Sequence, residues 1–93
     1  MMQITYDVAK CARNIRERGL PFDLVEDLDW STALVEEDTR RTYPERRFIA
    51  FGMIEERLYS VCFTPTAMGI RVISFRKANK REVKAYDEKT IHQ

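Results

Sequence analysis

Ninety-three residues, 44% apolar and 33% charged, suit one small folded domain rather than a disordered chain, with room for only a modest core. No apolar run approaches the ~20 residues of a membrane-spanning helix, and Met1 to Asp7 has neither the basic nor the apolar part of an export signal, so a cytoplasmic location is expected and no membrane partner. The net charge of +1 conceals a division: residues 1–38 hold four Lys/Arg against nine Asp/Glu, and residues 39–93 hold twelve against six, so the second part suits a phosphate-bearing partner.

Gln3 to Tyr6 reads as a first strand. Asp7 is a good N-cap, and Val8, Cys11, Ala12 and Ile15 recur at helical spacing. Gly19 stops that helix, and Pro21 starts a second one with Phe22, Val25 and Leu28 on its apolar face. From Leu20 to Asp38 there are seven acids and no base. Ala33 to Val35 begins a second strand, and Glu36 to Arg41 reads as a polar turn or hairpin end. Tyr43-Pro44-Glu45 is a loop, because the residue before proline avoids the α region. Arg47 to Ile54, Leu58 to Phe63 and Ile70 to Phe75 form an antiparallel meander, with Gly52 a bulge or a close backbone approach. Asn79 and Glu82 form a capping box for a last helix, whose apolar side is Val83, Tyr86, Thr90 and Ile91. The order β-α-α-β-β-β-β-α describes an α+β domain, residues 1–93, with helices on an antiparallel sheet.

Cys11 and Cys62 are far apart in a chain without an export signal and read as free thiols among apolar neighbours. Two cysteines and one histidine do not supply a zinc site, and no cofactor motif is present, so neither metal nor cofactor is expected. His92 stands beside the last residue and is a poor candidate for a positioned base. Trp30 and Tyr59 are capable of stacking on bases, but core packing is the expectation for both.

The remaining chemistry is arginine, lysine, tyrosine and carboxylate. In Arg71-Val72-Ile73-Ser74-Phe75-Arg76-Lys77, strand alternation puts Arg71, Ile73 and Phe75 on one face and Val72, Ser74 and Arg76 on the other. A guanidinium fixed at a sheet rim is a natural phosphate ligand. One candidate cluster is Arg71, Arg76, Lys77, Lys80 and Arg81. The other is Tyr43, Glu45, Arg46 and Arg47. Such residues suffice to cleave RNA, which carries its own 2′-hydroxyl nucleophile. Arginine stabilises phosphate charge, and a carboxylate or a lysine moves the proton.

Several blocks together resemble the BrnT toxins of type II toxin–antitoxin pairs. They are Ile4-Thr5-Tyr6-Asp7 with Lys10 and Asn14, then Gly19-Leu20-Pro21-Phe22, then Tyr43-Pro44-Glu45-Arg46-Arg47 with Gly52, and Arg71 to Ala78 with Glu82 and Tyr86. The resemblance implies a RelE-like fold and metal-independent RNA cleavage that arrests growth. It implies a BrnA-type ribbon-helix-helix antitoxin, two toxins on one antitoxin dimer, with DNA bound only through the antitoxin. Carried over by position, Arg76, Arg71, Lys10 and Arg47 are the expected RNA-binding and catalytic residues, with Glu45 and Tyr43 behind them. One departure stands out: the family's Lys-His-Gly after the first helix is Glu17-Arg18-Gly19 here. Arg18 can hold a phosphate but cannot transfer a proton at neutral pH. The alternative is therefore a catalytically degenerate module that binds antitoxin or RNA without cleaving.

Overall fold

A computed structural model describes residues 2–91; His92 lies outside them. Strand β1 (Gln3–Tyr6) leads into helix α1 (Val8–Arg18), a short 3-10 helix (Phe22–Asp27), strands β2 (Leu34–Glu37), β3 (Phe48–Ile54), β4 (Arg57–Pro65) and β5 (Gly69–Lys77), and helix α2 (Lys80–Ile91). The local signals act as their chemistry requires. Asp7 caps α1 by accepting from Lys10 N, and Gly19 closes it at φ 69° in the left-handed region. Asn79 Oδ1 accepts from Glu82 N at 2.9 Å while Glu82 Oε1 accepts from Asn79 N at 2.9 Å, which fixes the start of α2.

The five strands form one sheet in the order β1-β5-β4-β3-β2. It is mixed, not antiparallel as expected: β1 runs parallel to β5, Gln3 opposite Gly69 and Tyr6 opposite Val72. The cause sits at Gly69, where a Cβ would collide with the Gln3 backbone, so the glycine admits β1 to the edge. The second helix is a six-residue 3-10 turn rather than an α-helix. It still buries Phe22 and Val25 on the core, and Tyr6 Oη donates to Asp23 at 2.7 Å, tying it to β1. That carboxylate acceptor pushes the Tyr6 hydroxyl pKa up to about 12. Strand β2 reaches Glu37, further than expected, because Glu36 and Glu37 pair with Ile49 and Phe48.

The core fills one face of the sheet: Ala50 from β3, Val61 and Phe63 from β4, and Ile70, Val72 and Phe75 from β5, under Cys11, Leu20, Phe22, Val25 and Leu28. Trp30 and Tyr59 pack against it, Trp30 edge-on to Phe63 at 5.6 Å and Tyr59 tilted on Phe75 at 5.3 Å. Two expected faces are different. Phe75 does not share a face with Arg71 and Ile73, because the register with β4 shifts: Cys62 pairs with Ser74 but Phe63 pairs with Val72. The extra residue, Ile73, is a β-bulge that turns Phe75 back to the core side beside Val72 and Ile70. In α1 the inward residues are Cys11 and Asn14, while Val8 is 77% and Ile15 47% exposed. Likewise Tyr86 is buried on α2, but Ile91 is exposed.

Gly52 is a close approach, with the bulge elsewhere. A Cβ there would stand 2.6 Å from Leu28 Cδ2 and 2.8 Å from Leu28 Cγ. Leu28 is itself buried in the core. Gly52→Ala is therefore expected to cost about 1–3 kcal/mol through overpacking. A drop in the urea midpoint with an unchanged slope is the expected sign, and an unchanged midpoint would show that Leu28 yields freely.

Candidate functional site

The loop between β2 and β3 is built around one carboxylate. The Asp38 side chain is 1% exposed. It accepts from Arg40 N at 3.2 Å, Arg40 Nε at 2.8 Å, Arg40 Nη2 at 2.9 Å and Tyr43 Oη at 3.0 Å, while its own N–H donates to Arg47 O at 2.7 Å. The bidentate Arg40 grip, joined by Tyr43, holds the Asp38 carboxyl well below the usual range, although burial alone would raise it. Arg47 lies 4.3 Å over the Tyr43 ring and bonds Glu45 Oε1 through Nε at 2.9 Å. Arg46 pairs with Glu37 at 2.9 Å and crosses Phe48 at 5.2 Å. Thr64 Oγ1 donates to Arg46 O at 2.7 Å, fastening the loop to β4.

A folded-state pKa below the unfolded one gives stability that is full above the unfolded value. It is lost as pH falls through the folded value. The 38–47 loop is thus expected to hold from neutral pH down past the ordinary aspartate range and to open only in stronger acid. The Tyr43 ring signals in NMR spectra report this; signals that shift with a midpoint at the ordinary aspartate pKa would contradict it.

Arg76 has a second fixed guanidinium. Its Nη1 and Nη2 meet Glu82 Oε1 and Oε2 at 2.8 and 2.9 Å, so the same carboxylate caps α2 and grips the strand. The pair lowers the Glu82 pKa and raises that of Arg76. Arg76 lies opposite Ser60 on β4, and the positive charge of Arg40 reaches it. Cys62, two residues along β4, is near the charges of Asp38, Arg47, Arg40 and Glu45, and burial pushes its thiol pKa up. Thr64, which fastens the loop, pairs with Arg71 on β5, while Arg76 is opposite Ser60, four positions away on β4.

A third group lies where β1 has ended and β5 continues. Asn14 Nδ2 donates to Phe75 O at 3.0 Å and to Leu20 O at 2.8 Å, closing the exposed strand edge with α1. Arg18 Nη1 bonds Asn14 Oδ1 at 3.0 Å. Beside this seam, Lys10, Arg13, Glu17 and Arg18 line a cleft of about 340 Å³ over Ile73 and Ser74. It adjoins another of about 330 Å³ lined by Arg18, Leu20, Arg76 and Lys77.

Among the described residues, Arg40, Arg46, Arg47 and Arg76 each have a carboxylate partner within ion-pair reach. Lys10, Arg13, Arg18, Arg71, Lys77, Lys80 and Arg81 have none. Uncompensated charge, the kind that draws a polyanion, therefore runs along α1 and the end of β5. The expected residues fall into three places. Arg76, Lys77 and Arg18 line one cleft, with Lys10 in the adjoining one that shares Arg18; Tyr43, Glu45, Arg46 and Arg47 share the loop. Lys80 and Arg81 sit on the first turn of α2. Arg71 stands apart: it pairs with Thr5 and Thr64, its charge acts on Asp7, and four residues, roughly 15 Å of strand, separate it from Arg76. Sequence reasoning missed Asp38, Arg40 and Arg13. The Asp-x-Arg spacing and the helical step from Lys10 to Arg13 were the available signals. No three His, Cys, Asp or Glu side chains converge as metal ligands among the described residues.

A family model described as the ribonuclease toxin BrnT of type II toxin–antitoxin systems matches residues 6–82. That span contains the loop, both clefts and Glu82. No curated protein matches the chain.

Proposed function

Because the chain belongs to the BrnT family of ribonuclease toxins in type II toxin–antitoxin systems, we propose that it is a metal-independent endoribonuclease of RelE-like fold, residues 1–93 acting as one toxin domain in the cytoplasm. The supporting observation is the run of unpaired cations from Lys10 and Arg13 to Arg18 and Lys77, ending at a guanidinium that Glu82 holds rigid. RNA phosphates lie along this run. At the scissile position the 2′-oxygen attacks phosphorus, the bond to the 5′-oxygen breaks, and a 2′,3′-cyclic phosphate and a 5′-hydroxyl result. Arg76, with Arg18 and Lys77 beside it, stabilises the charge that builds on the phosphoryl oxygens. Glu45 accepts the 2′-hydroxyl proton, and Lys10 donates one to the leaving 5′-oxygen. Arg71 serves a phosphate further along the strand rather than the one at Arg76.

A type II toxin has an antitoxin partner. We assign this role to a BrnA-type ribbon-helix-helix protein whose dimer masks two toxins and alone contacts DNA. Binding without cleavage is the second reading. It is favoured by Arg18 at the family's histidine position and by the carboxylate partners on Arg40, Arg46, Arg47 and Arg76.

Purified, antitoxin-free protein incubated with total RNA in excess EDTA tests this directly. Shortened RNA is expected. RNA that shifts on a gel but stays whole would replace the nuclease reading with the binding one.

A further inference from the structure

We propose that Arg40 is a phosphate-binding residue of the 38–47 loop, set on the buried Asp38 so that its free edge meets an RNA phosphate. The inference rests on the RNA-cleaving reading above and adds a contact that the sequence did not suggest. The Arg40 side chain is 73% exposed, yet it is not free to wander. Nε and Nη2 are locked on a carboxylate that is itself buried and held by Tyr43. Arg76 is locked in the same manner on Glu82. Each guanidinium thus keeps donors unused: Arg40 Nη1 and Arg76 Nε make no hydrogen bond among the described residues. Guanidinium donors fan out in a plane, so one edge can grip a carboxylate while the other grips a phosphate. A phosphodiester fits the free edge of Arg40 because it presents two outward oxygens to the unused donors.

Asp38 is on this view a positioning residue. It touches no RNA and determines where Arg40 points. The same carboxylate orients Tyr43, the platform under Arg47.

The test uses the whole chain and a fluorescein-labelled 2′-O-methyl RNA oligonucleotide, which binds but has no nucleophile to be cleaved. Anisotropy across a salt series gives the affinity and the number of phosphates neutralised. Arg40→Ala is expected to weaken binding by about tenfold or more and to flatten the slope of log affinity against log salt by ~0.7, one phosphate on a single strand. Arg40→Lys keeps the charge and is expected to restore the slope. Lys89→Ala, at the far end of α2, is expected to leave it unchanged. Asp38→Asn retains Arg40 and hence the slope, while kcat on cleavable RNA falls by about tenfold and KM changes little. An unchanged slope in Arg40→Ala, or an equal loss in Lys89→Ala, overturns the Arg40 contact; an unchanged kcat in Asp38→Asn overturns the positioning role. If the native chain binds with the full slope but cleaves nothing, the nuclease reading fails and the Arg40 contact stands.

Discussion

Arg76→Ala is expected to reduce RNA cleavage by about 10²–10³-fold, the largest effect on activity of any single replacement in this chain. The size follows from the geometry. A guanidinium with both terminal nitrogens on Glu82 is already oriented when RNA arrives, so no reorganisation is needed as charge develops on the phosphate. The ion pair also joins β5 to α2, which raises the question of whether lost activity would only report lost folding. It would not: the pair is part-exposed, and such pairs contribute about 1 kcal/mol or less. Glu82→Gln separates the two roles. It keeps the cation, loosens the grip and removes a charge from the start of α2, so an intermediate rate with a slightly lowered Tm is expected. An Arg76→Ala protein that cleaves at the native rate would remove Arg76 from the site.

Asn14→Ala is expected to be the most destabilising polar replacement. It leaves Leu20 O and Phe75 O without their donor at a buried seam, at about 1–3 kcal/mol for each unsatisfied group, or roughly 2–4 kcal/mol together after partial relaxation. For a chain of this length that is a fall in Tm of roughly 10–20 °C. It also releases Arg18, whose guanidinium is steadied by Asn14 Oδ1, so RNA affinity should drop at temperatures where the protein is still folded. Asn14→Asp is nearly the same size but presents a carboxylate to two carbonyls and is expected to be worse. A thermal melt unchanged by Asn14→Ala would mean that α1 is held by Cys11 packing alone.

What the sequence revealed follows a physical division. Asp7, Gly19 and the Asn79–Glu82 box act on groups within a few residues of themselves, so their chemistry is visible in a short window. The positions that misled depend on partners far along the chain. Asn14 looks like an ordinary polar helix residue until Phe75, 61 residues away, supplies the carbonyl it bonds. The alternation along β5 fails at Ile73 because the bulge is a property of the pairing with β4. The parallel entry of β1 was hidden for the same reason. In the site, excess charge in the second part of the chain pointed to Arg76, Lys77 and the 43–47 loop. It could not show which arginines would be neutralised by a neighbour, nor that an acid in an acidic stretch, Asp38, would become the buried centre of a basic loop.

The parallel ladder between Gln3–Tyr6 and Gly69–Val72 also governs the order of events during synthesis. The first strand emerges early and has no partner until β5 leaves the ribosome, so closing the sheet means closing a loop of most of the chain, the slow kind of folding step. Arg76 and Lys77 emerge later still, and Glu82 after them. The fixed guanidinium of Arg76 is therefore among the last parts of the molecule to be assembled.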